Sequence, residues 1–399
     1  MLIDVVGKNP ATGNKNNPKT DYVFVFIEIF ACEGGIQSYV KDIFQGYLEL
    51  SGEYNAEVFL LRDSSNCLNP FESDSFKFHY FKNKSAQMGR ISLLGALLKC
   101  LLQKRPQHVF CGHINLAPLI QTLCQPLGIP YTVLTYGKEV WEPLNNQQRR
   151  ALTAASEIWT ISRYSRDRAC AANGIDPNKV KMLPCAIDGD KFTPGIKQPE
   201  LMTKYGLTDA KVLMTVARLW SGDIYKGVDV TIRALPKIAQ VFPEVKYLVI
   251  GRGDDQPRLA QLAQDLGVSD RVVFAGFVPT EDLIAHYRLA DAYIMPSQEG
   301  FGIVYLEAMA CGVPVLSGDA DGSADPLQDG KVGWRVPHRD ADAVAAACIE
   351  ILRGEDQRCD PQWLREQAIA HFGITAFRQQ LLSLVKGQEE GCRGKSMGA

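Results

Sequence analysis

Short apolar runs alternate with longer amphipathic stretches along most of the chain. Residues 23–30 (VFVFIEIF) are almost continuously apolar and rich in Val, Phe and Ile, the composition of a strand buried on both faces. Gly34-Gly35 follows, then a helical pattern over 36–50. Further apolar runs predict strands at 57–61, 108–111, 131–135 and 157–162, with helices at 91–104, 115–128, 145–155 and 163–173 between them. The alternation pauses at 183–188 (LPCAID), and the stretch to about residue 207, with Pro194 and Pro199, predicts a connection carrying a short helix. It then resumes with strands at 212–217, 246–250, 271–274, 292–296 and 313–317. The helices of this second series are predicted at 228–241, 256–267, 280–289, 302–311 and 340–353, followed by a long one over 361–386. Strand–helix alternation implies parallel, doubly wound sheets. Two such series imply two Rossmann-like α/β domains, 21–190 and 191–360. Residues 1–20, polar and rich in Asn and Lys, and residues 387–399 are expected to be flexible.

Composition narrows the picture without changing it. A chain of 399 residues exceeds one compact core and favours two domains. The net charge of −2 gives no electrostatic reason to expect nucleic acid as a partner. Eleven cysteines are scattered with no C-x-x-C and no paired Cys/His spacing, so reduced thiols in a cytoplasmic protein are expected, and no metal site. No run of about 18 apolar residues occurs, so no membrane span is predicted. The apolar stretch 91–105 (ISLLGALLKCLLQKR), preceded by Lys82, Lys84 and Arg90, reads as a helix packed on the sheet or as a docking face for the inner membrane leaflet.

The most informative chemistry lies in residues 290–320. Glu299 and Glu307 are separated by seven residues, with Gly300-Phe301-Gly302 between them. Strand, glycine turn and helix in succession leave free N–H groups at the helix N-terminus, from Gly302 through Ile303 and Val304, and these suit a phosphate. Glu307, four residues after Ile303, shares a helix face with that terminus. A carboxylate there would repel phosphate but can accept hydrogen bonds from a ribose. Glu299, in the loop, is placed for another hydroxyl-rich group. Arg218 at the end of strand 212–217 and Lys226 before the next helix form a cation pair that can neutralise a leaving diphosphate.

This E-x7-E segment, with the Glu307-Ala308-Met309-Ala310-Cys311-Gly312 helix end and Val313-Pro314-Val315, resembles the donor-site signature of the retaining GT-B glycosyltransferases of family 4 (glycosyl transferases group 1), and is similar to bacterial mannosyl- and glucosyltransferases. The resemblance implies two Rossmann-like domains facing across a central cleft, with the helix at 361–386 crossing back to the first domain. It implies transfer of a hexose from a GDP- or UDP-hexose to a hydroxyl of a lipid-linked or saccharide acceptor, with no metal and no other cofactor. Arg218, Lys226 and Glu299 take the catalytic roles in that reading, and Glu307 holds the ribose. Gly251 and Gly253 resemble the family's G-x-G floor, and Val278, in Gly276-Phe277-Val278-Pro279, its base-contacting segment. Gly34 and Gly35 match the loop that approaches donor phosphate and acceptor. Thr135-Tyr136-Gly137-Lys138-Glu139 resembles T-H-G-x-E, with Tyr136 standing where the family has a sugar-contacting histidine. Glu139, Lys138 and His113 are candidates for acceptor or sugar contacts. The longer 220–225 loop and the acidic 317–325 turn depart from the family pattern. Two rival readings are a catalytically retired sugar-nucleotide-binding subunit and a nucleotide-sugar epimerase or hydrolase.

Overall fold

The apolar runs assemble into two parallel sheets, one from each series. In the computed structural model, which describes residues 21–50 and 55–396, the first half runs β1 (Tyr22–Phe26), α1 (Gly35–Leu50), β2 (Ala56–Leu60), β3 (Phe76–Tyr80), α2 (Ala86–Lys104), β4 (His108–Cys111) and α3 (Ala117–Cys124). It continues through β5 (Tyr131–Thr135), α4 (Asn146–Ala154), β6 (Glu157–Thr160), α5 (Arg163–Asn173) and β7 (Val180–Met182). A short α6 (Pro199–Lys204) lies in the connection. The second half runs β8 (Lys211–Val216), α7 (Val228–Val241), β9 (Val245–Ile250), α8 (Gln256–Asp265), β10 (Val272–Gly276), α9 (Leu283–Tyr287), β11 (Ala292–Met295) and α10 (Ile303–Ala310). It ends with β12 (Val315–Gly318), β13 (Trp334–Val336), α11 (Ala341–Arg353), α12 (Pro361–Phe372) and α13 (Ile374–Ser396).

The strand orders fix where a ligand belongs. The first sheet is ordered β3-β2-β1-β4-β5-β6-β7 and the second β10-β9-β8-β11-β12-β13. Each reverses direction once, between β1 and β4 and between β8 and β11. In open α/β sheets the crevice at such a reversal, beyond the strand C-termini, is the binding position. The loops after β8 and β11 carry Arg218, Lys226 and Glu299.

Several elements differ from the sequence expectation in an instructive way. β3, β7 and β13 were not predicted, and each is an edge strand of three to five residues. β1 stops at Phe26 rather than continuing to residue 30, because the buried Asp63 carboxylate accepts the amides of Ile29 (2.7 Å), Phe30 (2.9 Å) and Ala31 (2.7 Å) and turns the chain out of the sheet.

The single helix expected at 361–386 is two helices broken at Gly373. There the Ile187 amide donates to Phe372 O (2.8 Å), so the linker between domains threads the break. α12 packs on α10 of the second domain, and Arg365 donates to the carbonyls of Phe192 (2.5 Å), Gly189 (2.5 Å) and Ala310 (2.7 Å). α13 packs on α1 of the first domain, with Arg378 paired to Glu49 at 2.7 Å and Phe377 edge-on to Tyr39. The helix continues to Ser396, so residues 387–396 are helical where a flexible tail was expected, and 397–399 lie outside the described residues. The expectation for residues 1–20 lies outside the described residues. One apolar cluster unites both halves through Leu183, Ile187, Phe192, Leu364, Phe377 and Leu381.

Candidate active site

The β8 and β11 loops meet at the sheet reversal. Gln298 N–H donates to Tyr225 O at 3.2 Å and fastens the two. Lys226 Nζ and Glu299 Oε1 form an ion pair, both side chains mostly buried. Arg218 Nε binds Asp223 Oδ2 at 2.6 Å, but its side chain is 68% exposed, so the guanidinium keeps free donors toward the cleft. Asp223 belongs to the longer 220–225 loop. That loop therefore orients Arg218 and carries Tyr225, whose ring lies under both Lys138 and Lys226.

A second carboxylate sets the Glu299 loop. Asp321, 1% exposed, accepts the Glu299 amide on Oδ2 (2.7 Å) and the Ser323 amide on Oδ1 (2.9 Å), and its Oδ1 also takes the Ser323 hydroxyl. Gly322 N–H donates to Glu299 O at 2.8 Å. Burial pushes the Asp321 carboxyl up to about 6. The sequence left this residue without a role, although an Asp-Gly-Ser turn after a buried strand is the kind of signal that could have assigned one.

Gly302 has φ +87°, a conformation that favours glycine, and it caps α10. Ile303 and Val304 open the helix beside it, where first-turn amides lack intrahelical acceptors. One turn on, Glu307 Oε2 accepts the hydroxyl of fully buried Tyr287 at 2.6 Å, which orients the carboxylate and leaves Oε1 without a donor from that tyrosine. Burial raises the Glu307 pKa, while the Tyr287 hydrogen bond and Lys191 oppose the rise.

The floor is built by close backbone approach. A side chain at Gly251 would overlap Ala217 O, and one at Gly253 would overlap Leu219 O. Both glycines thus let the β9 turn press against the β8 loop. Arg252 stacks over Phe277 at 4.9 Å, next to Val278, which is buried. Arg218, Trp220, Arg252, Gly253 and Asp254 line an open cavity of about 580 Å³. Another cavity, of about 440 Å³ beside His79 and Lys82, lies against β3 and α2, away from these groups.

The first domain contributes less than expected from its sequence candidates. Gly34 and Gly35 lie in an exposed loop at the start of α1. His113 follows β4, and its Nδ1 accepts the Asn115 amide at 3.0 Å, so the neutral ring carries its proton on Nε2. Burial and Arg62 lower its pKa. Tyr136 does not reach the cleft: its ring is buried against Tyr39 and its hydroxyl donates to Gly112 O at 2.9 Å. An aromatic ring of that size is held by the apolar interior beneath β5, which corrects the expected sugar contact. Glu139 is also withdrawn, because its Oε1 accepts the amides of Tyr136 (2.5 Å) and Gly137 (3.2 Å) and closes the turn. Between them Lys138 points the other way, across the cleft onto the Tyr225 ring at 2.9 Å, close enough for Glu299 and Lys226 to influence its ionisation. Burial lowers its pKa. Gly137 and Gly300 let the two backbones touch here, since a side chain at Gly300 would overlap Tyr136 O. Ser165 Oγ donates to Gly300 O at 3.4 Å, and Arg163 pairs with Asp325 and, at 2.8 Å, with Asp329. The two domains meet in a closed arrangement at these contacts.

Two facing Rossmann-like domains with a cation pair, an E-x7-E helix and a crossover helix define a GT-B fold. Residues 197–364 match the family described as "Glycosyl transferases group 1". The chain is 37% identical over 276 residues to the GDP-mannose-dependent alpha-(1-6)-phosphatidylinositol monomannoside mannosyltransferase of Mycolicibacterium smegmatis, covering 64% of this chain and 70% of that protein. It is 32% identical over 208 residues to the D-inositol 3-phosphate glycosyltransferase of Acidothermus cellulolyticus, covering 49% of this chain and 45% of that protein. In fold it is similar to Anabaena Alr3699/HepE in complex with UDP, with a TM-score of 0.74, 20% identity and 92% and 100% of the two chains covered. The chain belongs to the group 1 glycosyltransferases.

Proposed function

We propose that the protein is a retaining mannosyltransferase that moves mannose from GDP-mannose to a hydroxyl of an inositol phospholipid-type acceptor at the cytoplasmic face of a membrane. The observation that carries the reading is the Lys226–Glu299 pair, set beside Arg218 and the opening amides of α10. A donor diphosphate entering there draws Lys226 away from Glu299. That exchange neutralises the leaving group and frees Glu299 to accept hydrogen bonds from the sugar hydroxyls. Arg218, Lys226 and the amides of Ile303 and Val304 then stabilise charge as it grows on the diphosphate. The bond from the anomeric carbon to the phosphate oxygen breaks, and the acceptor oxygen bonds to that carbon on the same face. The acceptor proton passes to the departing phosphate. No metal is needed in this scheme, because the cations and helix amides supply the positive field. Glu307 holds the ribose, and Phe277-Val278 borders the base. Closure at Gly137–Gly300 excludes water, which would otherwise hydrolyse the donor.

The intact Arg218, Lys226, Glu299 and Glu307 support transfer over the retired-subunit reading that Tyr136 motivates. The test is incubation with GDP-mannose, UDP-glucose or ADP-glucose and a phosphatidylinositol monomannoside acceptor, in EDTA, with the product's anomeric configuration read by NMR. An α-linked mannosyl product from GDP-mannose alone is expected. Donor binding with no transfer or hydrolysis would favour the retired subunit. Turnover without acceptor would favour hydrolysis or epimerisation.

A further inference from the structure

The turn after β5 sends one side chain across the cleft. Glu139 Oε1 holds the amides of Tyr136 and Gly137, and the buried Val140 and Trp141 anchor the single helical turn that follows. Trp141 Nε1 also donates to Ser165 Oγ at 3.3 Å. These neighbours are held within the first domain, and Lys138 alone among residues 136–141 is exposed. The base of that lysine is fixed against the second domain as well. A Cβ at Gly137 would lie 3.2 Å from Gly300 Cα, one residue past Glu299. Lys138 therefore stands beside Glu299 only while the domains are together.

The surrounding charges show what this lysine lacks. Beyond burial, which lowers its pKa, Glu299 is the charge it feels most strongly, then Asp223 and Lys226. Both carboxylates are already engaged, Glu299 by Lys226 and Asp223 by Arg218 at 2.6 Å. Lys138 Nζ instead lies 2.9 Å from the centre of the Tyr225 ring, and Lys226 Nζ lies 5.4 Å from the same centre. Three cations thus converge on two carboxylates, and one positive charge is left over. An aromatic face offers a cation less than an anionic oxygen does, and a second ammonium beside it is repulsive. An incoming diphosphate removes both costs.

We propose that Lys138 is the first domain's own contact to the donor diphosphate, binding the phosphate next to the sugar. Glu299, assigned to the sugar hydroxyls, and Lys226, assigned to the diphosphate, flank that position. The Lys138 ammonium leaves the Tyr225 ring for a phosphate oxygen, while Arg218 and Lys226 bind from the second domain. The donor then bridges the two domains through its own charge and holds the cleft shut until the diphosphate departs. A phosphate of the acceptor fits less well, because the charges that Lys138 feels all belong to the donor loops after β8 and β11. The inference rests on the reading of Arg218 and Lys226 as diphosphate ligands.

The experiment is calorimetric titration of the full chain with GDP and with GMP, which lacks the sugar-proximal phosphate, and with UDP and UMP in parallel. Wild type, Lys138→Met, Lys138→Arg and Lys226→Ala are compared. Lys138→Met should bind the diphosphate about tenfold more weakly and the monophosphate within about twofold of the wild type. Lys138→Arg should keep diphosphate binding within about threefold, because the charge is kept. Melting temperatures of the two Lys138 variants without ligand should match the wild type, since the side chain is exposed and the turn is held by its neighbours. Equal diphosphate affinity in wild type and Lys138→Met would overturn the inference. So would equal losses for diphosphate and monophosphate, the mark of a disturbed cleft. A wild type that binds neither GDP nor UDP would overturn the diphosphate reading and the inference together. Unchanged binding in Lys226→Ala, with the loss present in Lys138→Met, would remove Lys226 from that reading and leave Lys138 standing.

Discussion

Lys226 and Glu299 are satisfied by one another before any donor arrives, so removing either also alters the resting site. Lys226→Ala should cut transfer at least about tenfold, roughly 1.4 kcal/mol of transition-state stabilisation, and Glu307→Gln by a similar factor, read as kcat/KM for the donor. A wild-type rate in either variant would remove that residue from the mechanism. Asp321 makes a distinct prediction. Its folded pKa, about 6, lies above the ordinary 3.8, so between these values the folded protein holds a proton that the unfolded chain lacks. Its contribution to stability therefore falls as pH rises across that window. Activity should move oppositely, dropping below about pH 6 as the protonated carboxyl loosens its grip on the Glu299 amide. Asp321→Asn should have reduced kcat at pH 7.5 and lack that acid limb in a kcat profile between pH 5 and 8. At this scale the sequence was legible where backbone geometry forces a residue type, as at Gly302, or where strand-end cations and an E-x7-E spacing carry charge logic. It was not legible for Tyr136 and Glu139, because side chains on one turn point in directions that spacing does not set.

Most elements could be read from periodicity because their strands are buried on both faces. β3, β7 and β13 escaped because an edge strand has one neighbour and needs no long apolar run. The break in the C-terminal helices escaped for another reason: Gly373 is tolerated inside helical patterns, and only the tertiary bond from Ile187 to Phe372 O makes it a stop. α10 offers a test of an element's start. A Cβ at Gly302 would lie 2.4 Å from the Tyr305 ring and would occupy positive φ. Gly302→Ala should cost about 1–3 kcal/mol and lower the melting temperature, with donor affinity falling as the first turn shifts. An unchanged melting curve would show that the turn relaxes freely. On α1, burial beside Asp188 raises the Asp42 carboxyl to about 7. Asp42→Asn should raise the melting temperature most at pH 8, less at pH 5, and little only below about pH 4, where the carboxyl is protonated in the folded and the unfolded chain alike.

Across the whole molecule, the domains touch through Gly137–Gly300 and through Arg163 with Asp325 and Asp329. Arg163→Ala should open the cleft, visible as a larger radius of gyration in X-ray scattering and a raised KM for the donor, with donor saturation restoring the smaller radius. A radius unchanged by the substitution would mean that the glycine contact alone sets closure. The return of α13 to α1 has a consequence for biogenesis. Phe377, Leu381 and Val385 complete a core whose other walls, Phe24, Phe44 and Phe76, are synthesised some three hundred residues earlier. The first domain thus waits on the ribosome with part of its interior open until α13 has been translated. The nascent chain must therefore be kept from aggregating while the second domain, whose strands and helices are contiguous in sequence, is still emerging.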